Sequence, residues 1–322
     1  MVLCGCAQKN STKKFEKSYF EAFNTYTTIS GYAASQQEWN AVADELYAQL
    51  WEYHQLFDIY NDYPGIENLK TVNDNAGVAP VQVDRQIIAL LLDCKAYYEA
   101  TDGLVNVAMG SVLRLWHDAR TAGLADPENA RLPDAAALKE AALHTNWDDV
   151  IIDAEKATVY LSDSAMSLDV GAIAKGWATQ RVAEVAPEGV LLSVGGNICA
   201  TGAKPDGSPW NVGVQDPDNT SAYLRTCKIK NGSLVTSGDY QRYYTVDGKR
   251  YHHIIDPATG NPAQHWRSVT IRCANSAVAD LLSTALFLLP LEEGKALLKQ
   301  YSAEAMWVDH SGNIFQSDGF GG

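Results

Sequence analysis

Arg242-Tyr243-Tyr244-Thr245-Val246-Asp247-Gly248-Lys249-Arg250-Tyr251-His252-His253-Ile254-Ile255-Asp256-Pro257-Ala258-Thr259-Gly260 decides the class of fold. Arg242–Val246 and Arg250–Ile255 are rich in β-branched and aromatic residues. Asp247-Gly248 between them is a pair that tolerates the positive φ values of a two-residue hairpin turn. Strands joined so tightly lie antiparallel, and Asp256–Gly260 is turn chemistry by itself. On one side of this stretch, Leu234–Thr236 reads as another strand. On the other, Ser276–Leu289 and Glu293–Gln300 carry helical spacing. Ala305–Val308 and Asn313–Gln316 close as a second hairpin around Ser311-Gly312.

Toward the N-terminus the two periods mix in the same way. Phe20–Tyr32 reads as a strand that ends near Gly31. Gln36–Phe57 places Trp39, Val42, Ala43, Leu46, Leu50, Tyr53 and Phe57 on one helical face. Asp58–Asn75 is polar and rich in turn residues. Asp84–Thr101 is a helix closed by Thr101-Asp102-Gly103, and Ala135–Leu143 is a short one. Val150–Ile152, Thr158–Leu161, Val190–Val194 and Asn211–Val214 read as strands, with a helix over 171–186 among them. Intermingled strands and helices with hairpins define an α+β fold of mainly antiparallel sheets flanked by helices. No Pro/Gly/Ser linker separates autonomous domains, so two interleaved halves of one unit are expected.

The chain has 322 residues and, with Lys+Arg 25 against Asp+Glu 39, a net charge of −14. That balance argues against binding a nucleic-acid backbone over a broad surface, and leaves room for a local basic site. No apolar run reaches the roughly 18 residues of a bilayer span. The start is distinctive. Leu3-Cys4-Gly5-Cys6 resembles a bacterial lipobox, in which Cys6 becomes the lipidated first residue, and Ala7–Lys14 is polar and basic like a tether. The expectation is residues 1–19 as lipobox and tether, with the protein held at the extracytoplasmic face of a bacterial membrane; two incidental cysteines are the other reading. Cys94, Cys199, Cys227 and Cys273 form no metal-binding pattern, and Cys94 and Cys199 read as small buried thiols.

Four constellations could carry chemistry. Ser167–Gly176 runs into a glycine turn and a helix, with Asp169 and Lys175 at the junction, a seat for phosphate or an ordinary turn with a solvated lysine. Leu191–Ile198 carries Gly195-Gly196, which either bares backbone to a bulky group or makes a β-bulge. Strand alternation turns His252 and His253 to opposite faces. A bis-histidine metal site is therefore disfavoured, and one histidine is left as a candidate base. On the apolar helix Ala277–Phe287, Asp280, Ser283 and Thr284 form a polar stripe. A carboxylate with a hydroxyl suits Mg²⁺ and phosphate; the same stripe reads equally as a solvent-facing edge.

Taken in order, these segments resemble the ApbE family of flavin transferases from about Phe20 to the C-terminus. The likeness rests on Phe57–Asn61, Asn73–Gly77, Thr101–Gly110, Leu115-Trp116, Asp169–Gly176, Ser193–Asn197, Thr236–Tyr240, His253–Gly260 and Asp280–Thr284. The resemblance implies a bilobal fold with FAD in the cleft between interleaved halves. It implies Mg²⁺ at Ala172 (through its carbonyl), Asp280 and Thr284, and FAD lined by Phe23, Tyr60, Leu104, Val105, Asn106, Asp169, Lys175 and Ile255. The implied reaction moves FMN from FAD onto a threonine hydroxyl of a partner protein, in an Asp-Gly-x-Ser/Thr-x-Ala-Thr-like sequence, and releases AMP. Such a hydroxyl needs a base, a role expected of His253 ahead of His252. Two positions depart from the family pattern: Asn24-Thr25 stands where Gly-Thr is usual, and Val105-Asn106 where Phe-Asp is usual. An FAD pyrophosphatase giving free FMN, or a flavin-binding lipoprotein without catalysis, would look similar in sequence.

Overall fold

The computed structural model describes residues 12–320. The chain opens with β1 (Lys13–Tyr19), β2 (Thr27–Ala33), α1 (Gln36–Phe57), α2 (Leu69–Asp74), β3 (Val81–Gln82) and α3 (Arg85–Ala100). Next come α4 (Gly110–Ala125), α5 (Ala135–Ala141), β4 (Val150–Asp153), β5 (Thr158–Leu161), α6 (Ala174–Val185), β6 (Leu191–Val194) and β7 (Asn197–Ala200). Then follow β8 (Trp210–Gln215), β9 (Tyr223–Ile229), β10 (Gly232–Gly238), β11 (Tyr243–Val246), β12 (Lys249–His252), β13 (Ile255–Asp256) and β14 (Asn261–Pro262). The described chain closes with β15 (Ser268–Cys273), α7 (Ser276–Leu288), α8 (Leu291–Leu298), β16 (Ala303–Val308) and β17 (Ile314–Gln316).

The main sheet has the order β1-β2-β6-β7-β10-β15-β16-β17, which is also chain order, and every pairing in it is antiparallel. Alternation along β16 shows how it is covered. Ala305 and Trp307 join the large core under α7, whereas Met306 and Val308 join the core under the β8–β9 hairpin. Helices α1 and α6 pack over β2, β6 and β7, with Ile29, Leu46, Leu50, Val182 and Leu192 buried between them. A smaller lobe contains the β3-β5-β4 sheet with α2 and α3. The interleaving of chain segments expected from sequence is therefore observed.

Several boundaries move, each for a physical reason. Lys13–Tyr19, assigned from sequence to the tether, is the outer strand of the main sheet, so the folded unit starts ahead of residue 20. Its register against β2 places Glu16 opposite Ser30, whose hydroxyl donates to Glu16 at 2.7 Å. The expected strand over Phe20–Tyr32 begins only at Thr27, because Phe23 and Asn24 take left-handed φ values of 56° and 51° in a tight turn. Nor does Gly31 end the strand. A Cβ there would lie 2.3 Å from the Trp39 ring, so bare backbone lets α1 settle on the sheet. Helix α4 has no capping side chain and so no clear start signal, and α2, though capped by Asn68, is only six residues long inside a polar stretch and shows no period. Arg250–Ile255 breaks after His252: β12 pairs with β11, and β13 pairs with β14. Gly195-Gly196 is not a bulge but the two-residue turn of the β6–β7 hairpin, with φ values of 54° and 93°. The Thr25 side chain packs against that turn.

Cys94, Cys199 and Cys227 are buried free thiols, as the first two were expected to be. Cys6 and its neighbours lie outside the described residues. Among the described residues no helix is long and apolar enough to cross a membrane.

Candidate functional site

Helix α7 starts cleanly because the Asn275 side chain accepts from Ala277 N at 2.8 Å and Val278 N at 3.1 Å. One turn on, Asp280 is buried at 3% exposure. Its Oδ2 accepts from Gly176 N at 2.7 Å and lies 3.8 Å from Lys175 Nζ. Gly176 is required at this crossing, since a Cβ would meet Asp280 Cβ at 2.3 Å and Ser276 O at 2.6 Å. The polar stripe does not face solvent. Ser283, fully buried, meets the Ser237 hydroxyl at 2.8 Å and donates to Asp280 O at 2.9 Å. Half-buried Thr284 shares the Asp280 face by helical spacing.

Gly176 N is one of the first-turn N–H groups of α6, which have no partner within the helix, and Asp280 supplies one. Ala172 lies in the turn that leads into α6. Asp280, Thr284 and the Ala172 carbonyl together offer one negative charge and neutral oxygens. That donor set fits a hard cation whose remaining positions are filled by phosphate or water. Among the described residues no group of three or more His, Cys, Asp or Glu is placed to hold a metal ion.

The two histidines separate cleanly. His252 is 6% exposed, packs edge-on against Phe287 at 5.6 Å, and donates from Nε2 to Ala263 O at 2.8 Å. Its Nδ1 accepts from Ile254 N at 3.3 Å, so both ring nitrogens are spent on backbone. His253, just past the end of β12, makes other contacts. Its Nδ1 approaches Arg242 O at 3.2 Å, and a carbonyl can only accept, so Nδ1 carries the proton and Nε2 keeps its lone pair. Its own N–H donates to Arg242 O at 3.1 Å, fixing the ring from a second point. Burial, with the positive charges of Arg242, Lys175 and Arg120 nearby, holds His253 well below the usual imidazole range. The ring is neutral near pH 7.

Asp169 is positioned by its backbone. Asn73 clamps Leu168 from both sides, donating to its O at 3.0 Å and accepting from its N at 2.7 Å, and Asp169 N donates to Val107 O at 2.8 Å. Burial raises the Asp169 carboxyl, opposed by the bond from Gly171 N and the charges of His117, Arg242 and Arg120. Tyr60 stacks on His117 at 4.7 Å between ring centres, and Arg120 reaches the same imidazole at 3.4 Å. Tyr60 and Asp169 line one cleft of about 150 Å³, together with Asn73, Gly110 and Arg114. Phe23 joins from the opposite strand end: its ring meets His54 edge-on at 5.7 Å, and its carbonyl accepts from Arg242 at 3.5 Å.

Not every expected residue presents its side chain to this cleft. Val105 is 3% exposed and belongs to the main core. The Asn106 amide is committed to Thr145 O and Ala108 N. Leu104 packs partly on the core, and Ile255 packs with Met109, Val112 and Trp116. Any ligand contact from 104–106 would therefore run chiefly through backbone. A larger hollow of about 430 Å³, lined by Lys249, Tyr251, Asp256, Thr259 and Gln264, contains none of the expected site residues. The residues that sequence reasoning missed are Arg120, His117 and Arg242. Single charges on a polar helix face or beside a hairpin carry no spacing signal. Only the fold brings them to His253 and Asp169.

A model of the ApbE family matches residues 23–307. A curated FAD:protein FMN transferase of Treponema pallidum is 33% identical over 95% of this chain and 88% of its own. One from Klebsiella pneumoniae is 33% identical over 82% of this chain and 83% of its own. Among solved structures, the ApbE protein of Thermotoga maritima is 30% identical with a TM-score of 0.82, covering 96% of this chain and 98% of its own. The flavin transferase ApbE of Vibrio cholerae, at 23% identity and a TM-score of 0.79, shares the fold over 96% of this chain and 99% of its own. The mainly antiparallel α+β architecture is thus that of known ApbE structures, and by both sequence and fold this chain belongs to the ApbE family.

Proposed function

We propose that this chain is a flavin transferase that moves FMN from FAD to a threonine hydroxyl of a partner protein, with release of AMP. The single observation that carries the reading is His253, neutral and locked by Arg242 O so that Nε2 is a free acceptor. The names of the curated relatives, FAD:protein FMN transferase, support the same assignment. In this reading the acceptor carries an Asp-Gly-x-Ser/Thr-x-Ala-Thr-like sequence.

Phe23, Tyr60 and Asp169, with the backbone of Leu104, Val105, Asn106 and Ile255, line the flavin nucleotide. Lys175 sets a positive charge beside the phosphates. His253 Nε2 takes the proton of the threonine hydroxyl as its oxygen bonds to the phosphorus on the riboflavin side. The pyrophosphate P–O bond breaks, and its electron pair leaves on the phosphate of AMP. Asp280, Thr284 and the Ala172 carbonyl would hold Mg²⁺, whose Lewis acidity neutralises charge on the phosphate oxygens. We also propose that Cys6 is lipidated and keeps the enzyme at the outer face of a bacterial cytoplasmic membrane, the role that the sequence around it suggests.

Incubation with FAD, Mg²⁺ and an acceptor peptide, followed by mass analysis, tests the proposal. The expected result is FMN mass on the peptide threonine with an equivalent of AMP. Free FMN and AMP with unmodified peptide would make the chain an FAD pyrophosphatase. FAD bound without any AMP would make it a flavin-binding protein without catalysis.

A further inference from the structure

Arg120 on α4 reaches the His117 ring that stacks on Tyr60, and Arg242, just ahead of β11, holds His253 through its carbonyl. Among the described residues neither makes an ion pair, although the chain carries an excess of carboxylates. Arg120 touches His117 at 3.4 Å, and Arg242 touches only the Phe23 carbonyl, at the long distance of 3.5 Å. Like charges held near one another repel unless an anion joins them. The pair sits at the reacting end of the site, because the carbonyl of Arg242 is what holds His253 by its Nδ1 and N–H.

We infer that Arg120 and Arg242 form a two-guanidinium clamp that grips the phosphoryl group being transferred, beside the His253 base. The inference rests on the flavin-transfer reading above and adds residues and a role to it. Planar guanidinium groups match phosphate oxygens in a two-point fashion, which a lysine does not. As the threonine oxygen bonds to phosphorus and the P–O bond to AMP breaks, negative charge spreads over the non-bridging oxygens, and the clamp meets it there. The proton goes to His253 Nε2, and the leaving electron pair goes to the AMP phosphate, so no further reactant is needed. The charge environment agrees: both arginines act on His253 and on Asp169, and burial, with Arg242 nearby, lowers the proton affinity of Arg120.

The test uses the full chain with Arg242→Gln, Arg120→Gln and the double variant. Arg242 is exposed and holds His253 through its main chain, so Arg242→Gln leaves both the fold and the ring anchor in place. Inorganic pyrophosphate is titrated first by calorimetry, without metal or FAD. Binding by the wild type that weakens about tenfold or more in each variant supports the clamp. Equal binding in all proteins, or none in the wild type, overturns it whatever the transfer assay gives. FMN transfer to an acceptor peptide is then expected to fall about 10²-fold or more in kcat for Arg242→Gln, with Arg242→Lys restoring little of it. The acid limb of the rate is expected to move to higher pH, since one cation facing His253 is gone while Lys175, His252 and Arg120 remain. Unchanged kcat alongside weakened pyrophosphate binding would remove the transition-state role. Lost transfer with undiminished pyrophosphate binding would reassign the pair to the acceptor protein. Absence of transfer in the wild type would defeat the flavin-transfer reading, and the titration would still judge the anion clamp.

Discussion

Asp280 Oδ2 accepts the Gly176 backbone N–H at 2.7 Å across 104 residues of sequence. One carboxylate oxygen thereby ties the first turn of α6 to the middle of α7, and the same oxygen faces Lys175 at 3.8 Å. Structural and chemical duties meet on one side chain, so substitutions there have to be chosen to separate them.

Asp280→Asn keeps an oxygen that can accept from Gly176 N and removes the charge. The expected outcome is a modest stability loss, about 1–3 kcal/mol from leaving Lys175 without its partner, together with loss of Mg²⁺-stimulated transfer. Urea unfolding and an Mg²⁺ titration of FMN transfer would show it. Wild-type transfer at modest Mg²⁺ would reject Asp280 as a metal ligand. Asp280→Ala is the harsher change, because it also orphans the Gly176 N–H.

Gly176→Ala forces a methyl to within 2.3 Å of Asp280 Cβ and 2.6 Å of Ser276 O. Overpacking of this kind costs about 1–3 kcal/mol, and it pushes Asp280 away from its seat. Both the unfolding midpoint and the transfer rate are expected to fall. A variant with wild-type values for both would show that α6 and α7 separate freely.

His253→Ala is expected to lower FMN transfer about 10²–10⁴-fold, the usual worth of a positioned base, with FAD affinity retained. His252→Ala acts differently. It empties a site beside Phe287 and leaves Ala263 O with only the Gln264 amide, at 3.1 Å, so the melting temperature drops while the rate per folded molecule changes little. Fluorescence titration of FAD and a thermal melt on each variant distinguish the two. Equal, small effects on transfer would remove His253 from the base role.

Burial is the leading cause that lowers His54, His117, His252 and His253 below 6.5. The unfolded chain therefore binds protons that the folded one does not as pH falls below about 6.5, and stability is lost in that direction. The melting temperature is expected to decline progressively from pH 7 toward pH 5. His252→Gln is expected to flatten part of that decline, and a melt series across this range measures it. A melting temperature that rose on acidification would contradict the histidine environments described here.

If Cys6 carries lipid, the native protein partitions with the membrane fraction, and Cys6→Ser releases it while leaving transfer by the purified enzyme unchanged. Stable retention calls for two or more acyl chains, since one is a marginal anchor. Unmodified Cys6 on a fully soluble native protein would end the proposal.

The sequence by itself determined the elements whose signals are local. Apolar spacing marked α1 at Gln36–Phe57 and α7 from Ser276, and Asp247-Gly248 marked the β11–β12 turn. A resemblance carried by short motifs pointed to Asp280, Thr284 and His253. Only the tertiary structure decided what these residues meet. The Lys13–Tyr19 strand exists because β2 offers it an edge. Val105 belongs to the core because the turn at Asp102-Gly103 directs it there. His253 keeps a free Nε2 because Arg242 O lies within reach of Nδ1. Arg120 and Arg242 lie far apart in sequence and carry no pattern, yet the charges of both act on His253 and Asp169. Backbone preference and hydrophobic period act over a few residues and so can be read along the chain. Hydrogen-bond partners, proton positions and charge neighbours act through space, and the packing of α4, α6 and α7 with the main sheet fixes them.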